Sequence, residues 1–552
     1  MMFSLSVPSP ISIFRLGLFV LRPLLILLTL VSCDLSAQQR PESNSSDLHF
    51  VNPIGEGADP WVIRDPNTNR YLWCLSDGNR AIAVHTSDSV TALGRKHIVW
   101  RAPEQGPLSR EVWAPELHYL DDRWFIYFAA SDGRNENHLT YVLKSKTQDP
   151  LGEYELHGPL ATGAGNDGQS PNIWAIDMTV LEHRGKRYAI WSGWDQPGSD
   201  LQYLYIAPMS SPTQLAGPRV RLCDHDDYLW ERTEPGLEHR GLNEAPQVFQ
   251  TGDRTSIVYS CGASWLPTYK LGRLDLVGED PLKPTSWKKH GEPIFESTHS
   301  TYGVGHSCWV PSLDGQQWWH VFHAKRDTHP GWRRAIFIQP LSVDSNGQLI
   351  LGTPVSPGSQ LKRPSGDAPM QNAFSTDRFE YYGHHQMLSI EDSKFRLGQQ
   401  PQDPVNAYRS GEKVVFTGRF ANDFVAEVQI DFLNVEDARD AGLLFRTTLP
   451  SVGYDAQQGY FAGLIPRTQL VILGKTDGTR WQELARAPTS IQTDTPDRLK
   501  VQAQGDRIVI WHNGEKAIEH QDSTYSRGNL GLRVVDADAI FSELRVKPSA
   551  TR

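Results

Sequence analysis

The chain has 552 residues, 39% of them hydrophobic and 21% charged, with a net charge of −10. That length exceeds one ordinary domain, so two folded units are expected. The acidic balance, with no clustered run of Lys or Arg, excludes nucleic acid as a partner, because phosphate recognition needs concentrated positive charge.

The N-terminus carries an export signal. Arg15 and Arg22 lead into the apolar run Leu24–Val31, which is too short to span a bilayer and long enough for a signal core. It ends in Leu30-Val31-Ser32-Cys33, the pattern of a bacterial lipobox. Cys33 is therefore the expected lipidated residue, and a lipid anchor the expected contact with membrane; ordinary cleavage near Ala37 is the rival reading. Residues 1–33 read as signal peptide and 34–47 as a polar tether, and the protein as exported: a cell-envelope lipoprotein, or periplasmic or extracellular. Cys74, Cys223, Cys261 and Cys308 remain. Without a CxxC or Cys/His spacing, they read as free core thiols or at most one bridge.

Five segments then repeat one layout: an apolar strand, a tight polar turn, and a strand rich in aromatics. They are Trp61–Leu75, Leu117–Ser131, Met178–Trp194, Gln247–Gly262 and Trp309–Ala324. A further short strand follows each one. Period-two alternation and Gly/Asp/Asn turns mark hairpins, and no amphipathic helix interrupts them. Five sheets, each too small to stand alone, suit a radial arrangement in which neighbours bury one another's faces. A five-bladed β-propeller over residues 48–358 is the expected architecture, with stacked sandwiches as the alternative. Fifteen of the 17 tryptophans lie between Trp61 and Trp332, which sets this span apart from the rest.

Aligning the residue that opens the first strand of each repeat gives Asp59, Trp113, Asp177, Glu244 and His306, spaced by 54, 64, 67 and 62 residues. Innermost propeller strands line a central channel, so these five positions should converge at one mouth. Taken singly, Asp59-Pro60 reads as a turn, Asp177 as a structural acid and Glu244 as a solvated one. Together they put three like charges in one channel, which costs stability unless the charges are used. Three crowded carboxyls suit general acid/base chemistry. One must be ionised to take a proton from water, and another must hold its proton near neutral pH, with its pKa raised by burial or a neighbouring charge.

The motifs GADPWV (57–62), WAPEL (113–117), WAIDMTV (174–180), NEAPQV (243–248) and YGVGHSCW (302–309) resemble those of glycoside hydrolase family 43, in order and spacing, across the whole repeat region. The resemblance implies a five-bladed propeller and an inverting mechanism, in which two carboxyls stand roughly 6.5–9.5 Å apart with water between them. It implies Asp59 as general base, Asp177 as the acid that tunes pKa and Glu244 as general acid. It also places His306 toward a calcium or sodium ion in the channel and Arg334 near the sugar, with no cofactor needed for the chemistry. The stretch from Trp113 to His138 and WSGW at 191–194 lean toward exo-acting α-L-arabinofuranosidases, with Trp113 and Trp194 as stacking candidates. Ala245 departs from the glycine that many members carry after the acid, and so sets a methyl group beside Glu244. β-Xylosidase activity on the same scaffold, and a catalytically silent glycan-binding lipoprotein, are the alternatives; in either case the partner is carbohydrate.

After a linker at 359–373 the pattern changes to spaced strands with clean alternation, as in Phe424, Ala426, Val428, Ile430 and Phe432. One buried and one solvated face indicate a β-sandwich over 374–548. It resembles the concanavalin- and laminin-G-like jelly rolls that accompany such hydrolases. Shielding the propeller and binding sugar are both open roles for it.

Overall fold

The computed structural model describes residues 49–549, apart from 164–171, 233–240, 368–375, 377, 384–387, 399–410, 418–420, 434, 436–437 and 493–494. The leader and Cys33 lie outside the described residues. The described chain is all-β with a few single-turn 3₁₀ segments, and no described helix is long and apolar enough to cross a membrane.

Five antiparallel sheets form the propeller. Their innermost strands are Trp61–Arg64, Arg110–Leu120, Ala175–His183, Asn243–Thr251 and Tyr302–Pro311. The aromatics that crowd the sequence fill the space between blades: Trp73, Trp124, Trp191 and Trp319 are all fully buried. Small sheets of this kind are stable only because each covers its neighbour. The four cysteines are free thiols, and Cys74, Cys261 and Cys308 are buried in these inter-blade cores.

Each innermost strand begins with the same irregularity. Asp59, Ala114, Asp177, Ala245 and His306 all have φ between +44° and +55°, in the left-handed region that non-glycine residues rarely enter. In blades two to five the pairing register slips by one residue at this point, for example from Ile176↔Ser192 to Thr179↔Ile190 and from Glu244↔Ser260 to Gln247↔Val258. This is a β-bulge repeated around the ring. It corrects the alignment drawn from sequence: the residues equivalent to Asp59, Asp177 and His306 are Ala114 and Ala245, while Trp113 and Glu244 stand one position earlier. Proline follows the bulge residue at 60, 115 and 246, where no ladder hydrogen bond is needed from it. Those prolines made the strands look shorter in sequence than they are.

The ring is closed by the N-terminal segment. Gly55–Glu56 pairs with Ala335–Ile336 as the outer strand of blade five, and His49–Val51 pairs with Gln360–Lys362. The expected linker therefore begins with a propeller-associated strand, and the chain leaves the propeller after Lys362. The buried side chain of Asn52 completes the closure: its Nδ2 donates to the Ile338 carbonyl at 2.7 Å, and its Oδ1 accepts from the Ile338 N–H at 2.9 Å.

Two seven-stranded antiparallel sheets form the second domain. Their facing apolar residues, among them Val428, Ile430, Leu443, Phe445, Val501 and Leu532, make one core. The domain is tied to the propeller side by Ser451, whose Oγ donates to the Pro53 carbonyl at 2.7 Å. Arg363 adds a second tie, donating to Glu380 at 2.9 Å and to the Thr91 hydroxyl of blade one at 2.6 Å.

Replacing Asn52 by Ala strands a buried N–H and a buried carbonyl on Ile338. A loss of about 2–4 kcal/mol is expected, read as a lower denaturation midpoint of the full-length protein. An unchanged midpoint would show that the ring closes without Asn52.

Candidate active site

The bulges put their left-handed residues at one end of the channel. The loops joining second to third strands, such as Gly262–Tyr269 and Arg326–Arg333, emerge at that same end, because the tight first turns lie at the other. Left-handed backbone is least costly for Asp, Asn and His among side chains larger than glycine. That preference explains why acids and a histidine occupy three of the five positions.

Asp59 is the most accessible of the acids, with 23% of its side chain exposed, while Asp177 and Glu244 are buried at 5% and 8%. The Asp59 Oδ1 receives Arg334 Nη1 at 3.2 Å and lies 3.3 Å from Nδ1 of both His306 and His323. Its backbone N–H is 3.2 Å from the same His323 nitrogen. Burial alone would raise the Asp59 pKa. The Arg334 charge, with His306 and His323 behind it, outweighs burial and holds the carboxyl well below the usual carboxylate range. Asp59 is thus ionised at any working pH. Burial lowers both histidines, His323 to about 3, so they stand as neutral rings and leave Arg334 as the formal counter-charge.

Asp177 accepts the Ala245 N–H on Oδ2 at 3.0 Å, so the bulge of blade four holds the carboxyl of blade three. Glu244 Oε1 accepts from the buried Tyr269 hydroxyl at 2.8 Å. Both carboxyls are shifted upward. Burial leads for Asp177, followed by the charges of Glu244 and Asp59. Burial leads for Glu244 as well; with the Asp59 charge it outweighs the Tyr269 and Ser264 hydrogen bonds and Arg334, and lifts the pKa to about 7. Of the two causes expected from sequence, burial and a neighbouring charge, burial is the larger for Glu244. The site therefore pairs a carboxylate that stays ionised with a carboxyl that keeps its proton to near neutrality. Such separation of pKa values is what acid/base catalysis needs.

The two tryptophans proposed from sequence differ in what they present. Trp194 is buried at 4% and stacks on Trp174 at 5.0 Å, nearly parallel, so its faces serve packing rather than a ligand. Trp113 is half-buried, stacks on His138 at 3.9 Å and donates to Glu111 at 2.9 Å. His323, Tyr269 and Glu116 were not singled out from sequence. Glu116 is buried, accepts from Gln247 and lies 3.0 Å from His118. The signal was there: each is a polar or hydroxyl-bearing residue inside an otherwise apolar blade strand or beside its end. For a channel ion, the described residues offer no group of three or more His, Cys, Asp or Glu donors, and His306 Nδ1 faces Asp59. An ion beside His306 would therefore complete its coordination with water.

A propeller whose channel mouth separates an ionised from a protonated carboxyl holds the pair that hydrolysis of a glycosidic bond needs. Residues 50–349 match the profile described as Glycosyl hydrolases family 43, and the chain belongs to that family. Residues 376–547 match a 3-keto-alpha-glucoside-1,2-lyase-like domain. An extracellular exo-alpha-(1->5)-L-arabinofuranosidase from Streptomyces chartreusis is 29% identical over 286 residues, 50% of this chain and 83% of that protein. Alpha-L-arabinofuranosidase 43 of Humicola insolens is 30% identical over 328 residues, 57% of this chain and 65% of its own length. Among solved structures, an alpha-L-arabinofuranosidase from Lactobacillus brevis shares 28% identity with a TM-score of 0.51, covering 56% of this chain and 98% of that one.

The Tyr269 hydrogen bond stabilises the ionised form of Glu244. Tyr269→Phe should therefore raise the Glu244 pKa by about one unit, seen as an upward move of the alkaline limb of kcat/KM. A limb that stays in place would remove Tyr269 from the control of that proton.

Proposed function

We propose that the enzyme is an inverting exo-glycosidase that removes terminal α-L-arabinofuranosyl residues from plant-type polysaccharides or the oligosaccharides derived from them. Asp59 acts as general base toward water, and Glu244 as the general acid that protonates the leaving oxygen. Asp177 accepts the Ala245 N–H and so positions the backbone beside Glu244. The observation that carries the roles is the divergence of the two pKa values, Asp59 far down and Glu244 up to about 7. The arabinose preference is supported by the arabinofuranosidase activity of the Streptomyces, Humicola and Lactobacillus relatives. Action outside the cytoplasm is supported by the N-terminal signal pattern and by the extracellular relative; anchoring through Cys33 belongs to the same reading.

The sign of the pH dependence follows from the roles. Activity needs Asp59 ionised and Glu244 protonated. The kcat/KM should fall as pH rises through about 7, where Glu244 loses its proton. On the acid side it should hold until well below the ordinary aspartate range, because Asp59 resists protonation.

Glu244→Gln should lower kcat by about 10²–10⁴ on arabinosides with poor leaving groups, cost less with an activated aryl leaving group, and remove the alkaline limb. Asp59→Asn should abolish turnover of both. Proton NMR of the first-formed sugar should show the β-anomer. Full activity in Glu244→Gln, or a first product with retained configuration, would overturn the assignment.

A further inference from the structure

Among the described residues, Trp332 is the one tryptophan exposed beyond a third, at 64%. Large exposed apolar surface is the informative exception on a soluble protein. Trp332 sits in the loop Arg326–Arg333 of blade five, at the mouth end. The loop Gly262–Tyr269 of blade four faces it, and Trp265 from that loop lies 5.4 Å away at an interplanar angle of 54°. The two indoles form an open corner rather than a stack, so their faces are not spent on each other.

The corner is built in advance. The Gly331 N–H donates to the Trp265 carbonyl at 2.8 Å, and the Gly331 carbonyl accepts from Lys325 at 2.5 Å. Gly331 has φ of +145°, backbone that side chains rarely permit, so the turn before Trp332 is locked to the loop of its partner. The Arg334 guanidinium lies 5.4 Å from the centre of the Trp332 ring while its Nη1 reaches Asp59. On the other side Tyr269, which ends the loop that carries Trp265, donates its hydroxyl to Glu244 at 2.8 Å. Both tryptophans thus lie on loops that end at groups touching the acids.

We propose that Trp265 and Trp332 form the subsite for the sugar on the leaving-group side of the scissile bond, where each indole face takes the C–H face of a neutral sugar ring. A general acid must stand on the leaving-group side, and the loop that carries Trp265 ends at Tyr269, whose hydroxyl holds Glu244. The assignment therefore rests on Glu244 as the proton donor. Preorganised aromatic faces add affinity with little loss of side-chain freedom. An exposed, locked corner of this kind explains why a tryptophan is left in water at the rim while every other described one is largely covered.

Two substrate pairs test it on the full-length enzyme: α-1,5-arabinobiose against methyl α-L-arabinofuranoside, and xylobiose against methyl β-D-xyloside. For the pair that the enzyme cleaves, Trp332→Ala should lower the disaccharide-to-methyl ratio of kcat/KM by about tenfold, mainly through KM. Trp332→Phe should restore most of it, and Trp265→Ala should act in the same direction. An unchanged ratio overturns the proposal; equal loss on both members would show that Trp332 only props Arg334. Cleavage of the xylosides alone would overturn the arabinose reading while the tryptophans are still judged on that pair. Calorimetric titration of arabinotriose and xylotriose into Glu244→Gln protein, with and without Trp332→Ala, reads the subsite without turnover. Equal affinity in the two proteins for whichever saccharide binds, or no binding of either, would overturn it.

Discussion

At the mouth of every blade the innermost strand carries a residue in left-handed backbone, in blades two to five as part of a one-residue bulge, and the rest of the site hangs from it. Such conformations cost roughly 1–3 kcal/mol each for non-glycine residues and persist where the surroundings over-determine them. Here the surroundings are inter-blade hydrogen bonds. The N–H of Ala245 goes to Asp177, that of His306 to Ser260 Oγ at 2.8 Å, and that of Asp59 faces His323. These three residues thus bind their blades to neighbours at the channel mouth. The strain and the chemistry share the same residues.

The electrostatics follow from that placement. Three carboxyls in a poorly solvated mouth cannot all ionise cheaply. The arrangement resolves this by giving the one strong counter-charge, Arg334, to Asp59, and by leaving Glu244 and Asp177 to burial. Neutral His306 and His323 supply polar contact without a further charge. Tyr269 couples the two sides, since its hydroxyl holds Glu244 while its ring stacks on His323 at 5.5 Å and 13°. Gly305 makes room for that ring: a Cβ there would meet it at 2.3 Å.

Closure of the ring bears directly on the base. Asp59 follows the segment that supplies the outer strand of blade five, and the Gly57 N–H donates to the Arg334 carbonyl at 3.2 Å. Blade five thereby contributes Arg334, His306 and His323 to an acid carried by the first strand of blade one. The C-terminal sandwich contacts this same N-terminal segment through Ser451, so it buttresses the joint on which the position of Asp59 depends.

The sequence alone determined that this is an all-β chain of five hairpin repeats followed by an alternating-strand domain, because turn chemistry and side-chain alternation are local properties. It also determined which acids lie near the strand starts, since blade length recurs and motif order is linear. The one-residue offset between Glu244 and Asp177 was decided in three dimensions, because a bulge is a mismatch between two strands and leaves only an ambiguous Ala-Pro behind. His323 and Arg334 from two strands of blade five and Tyr269 from a loop of blade four came together at separations that no periodicity encodes. The proton preference of each carboxyl was likewise a tertiary outcome: burial raises both Asp59 and Glu244, and what separates them is the guanidinium and the histidines gathered around Asp59.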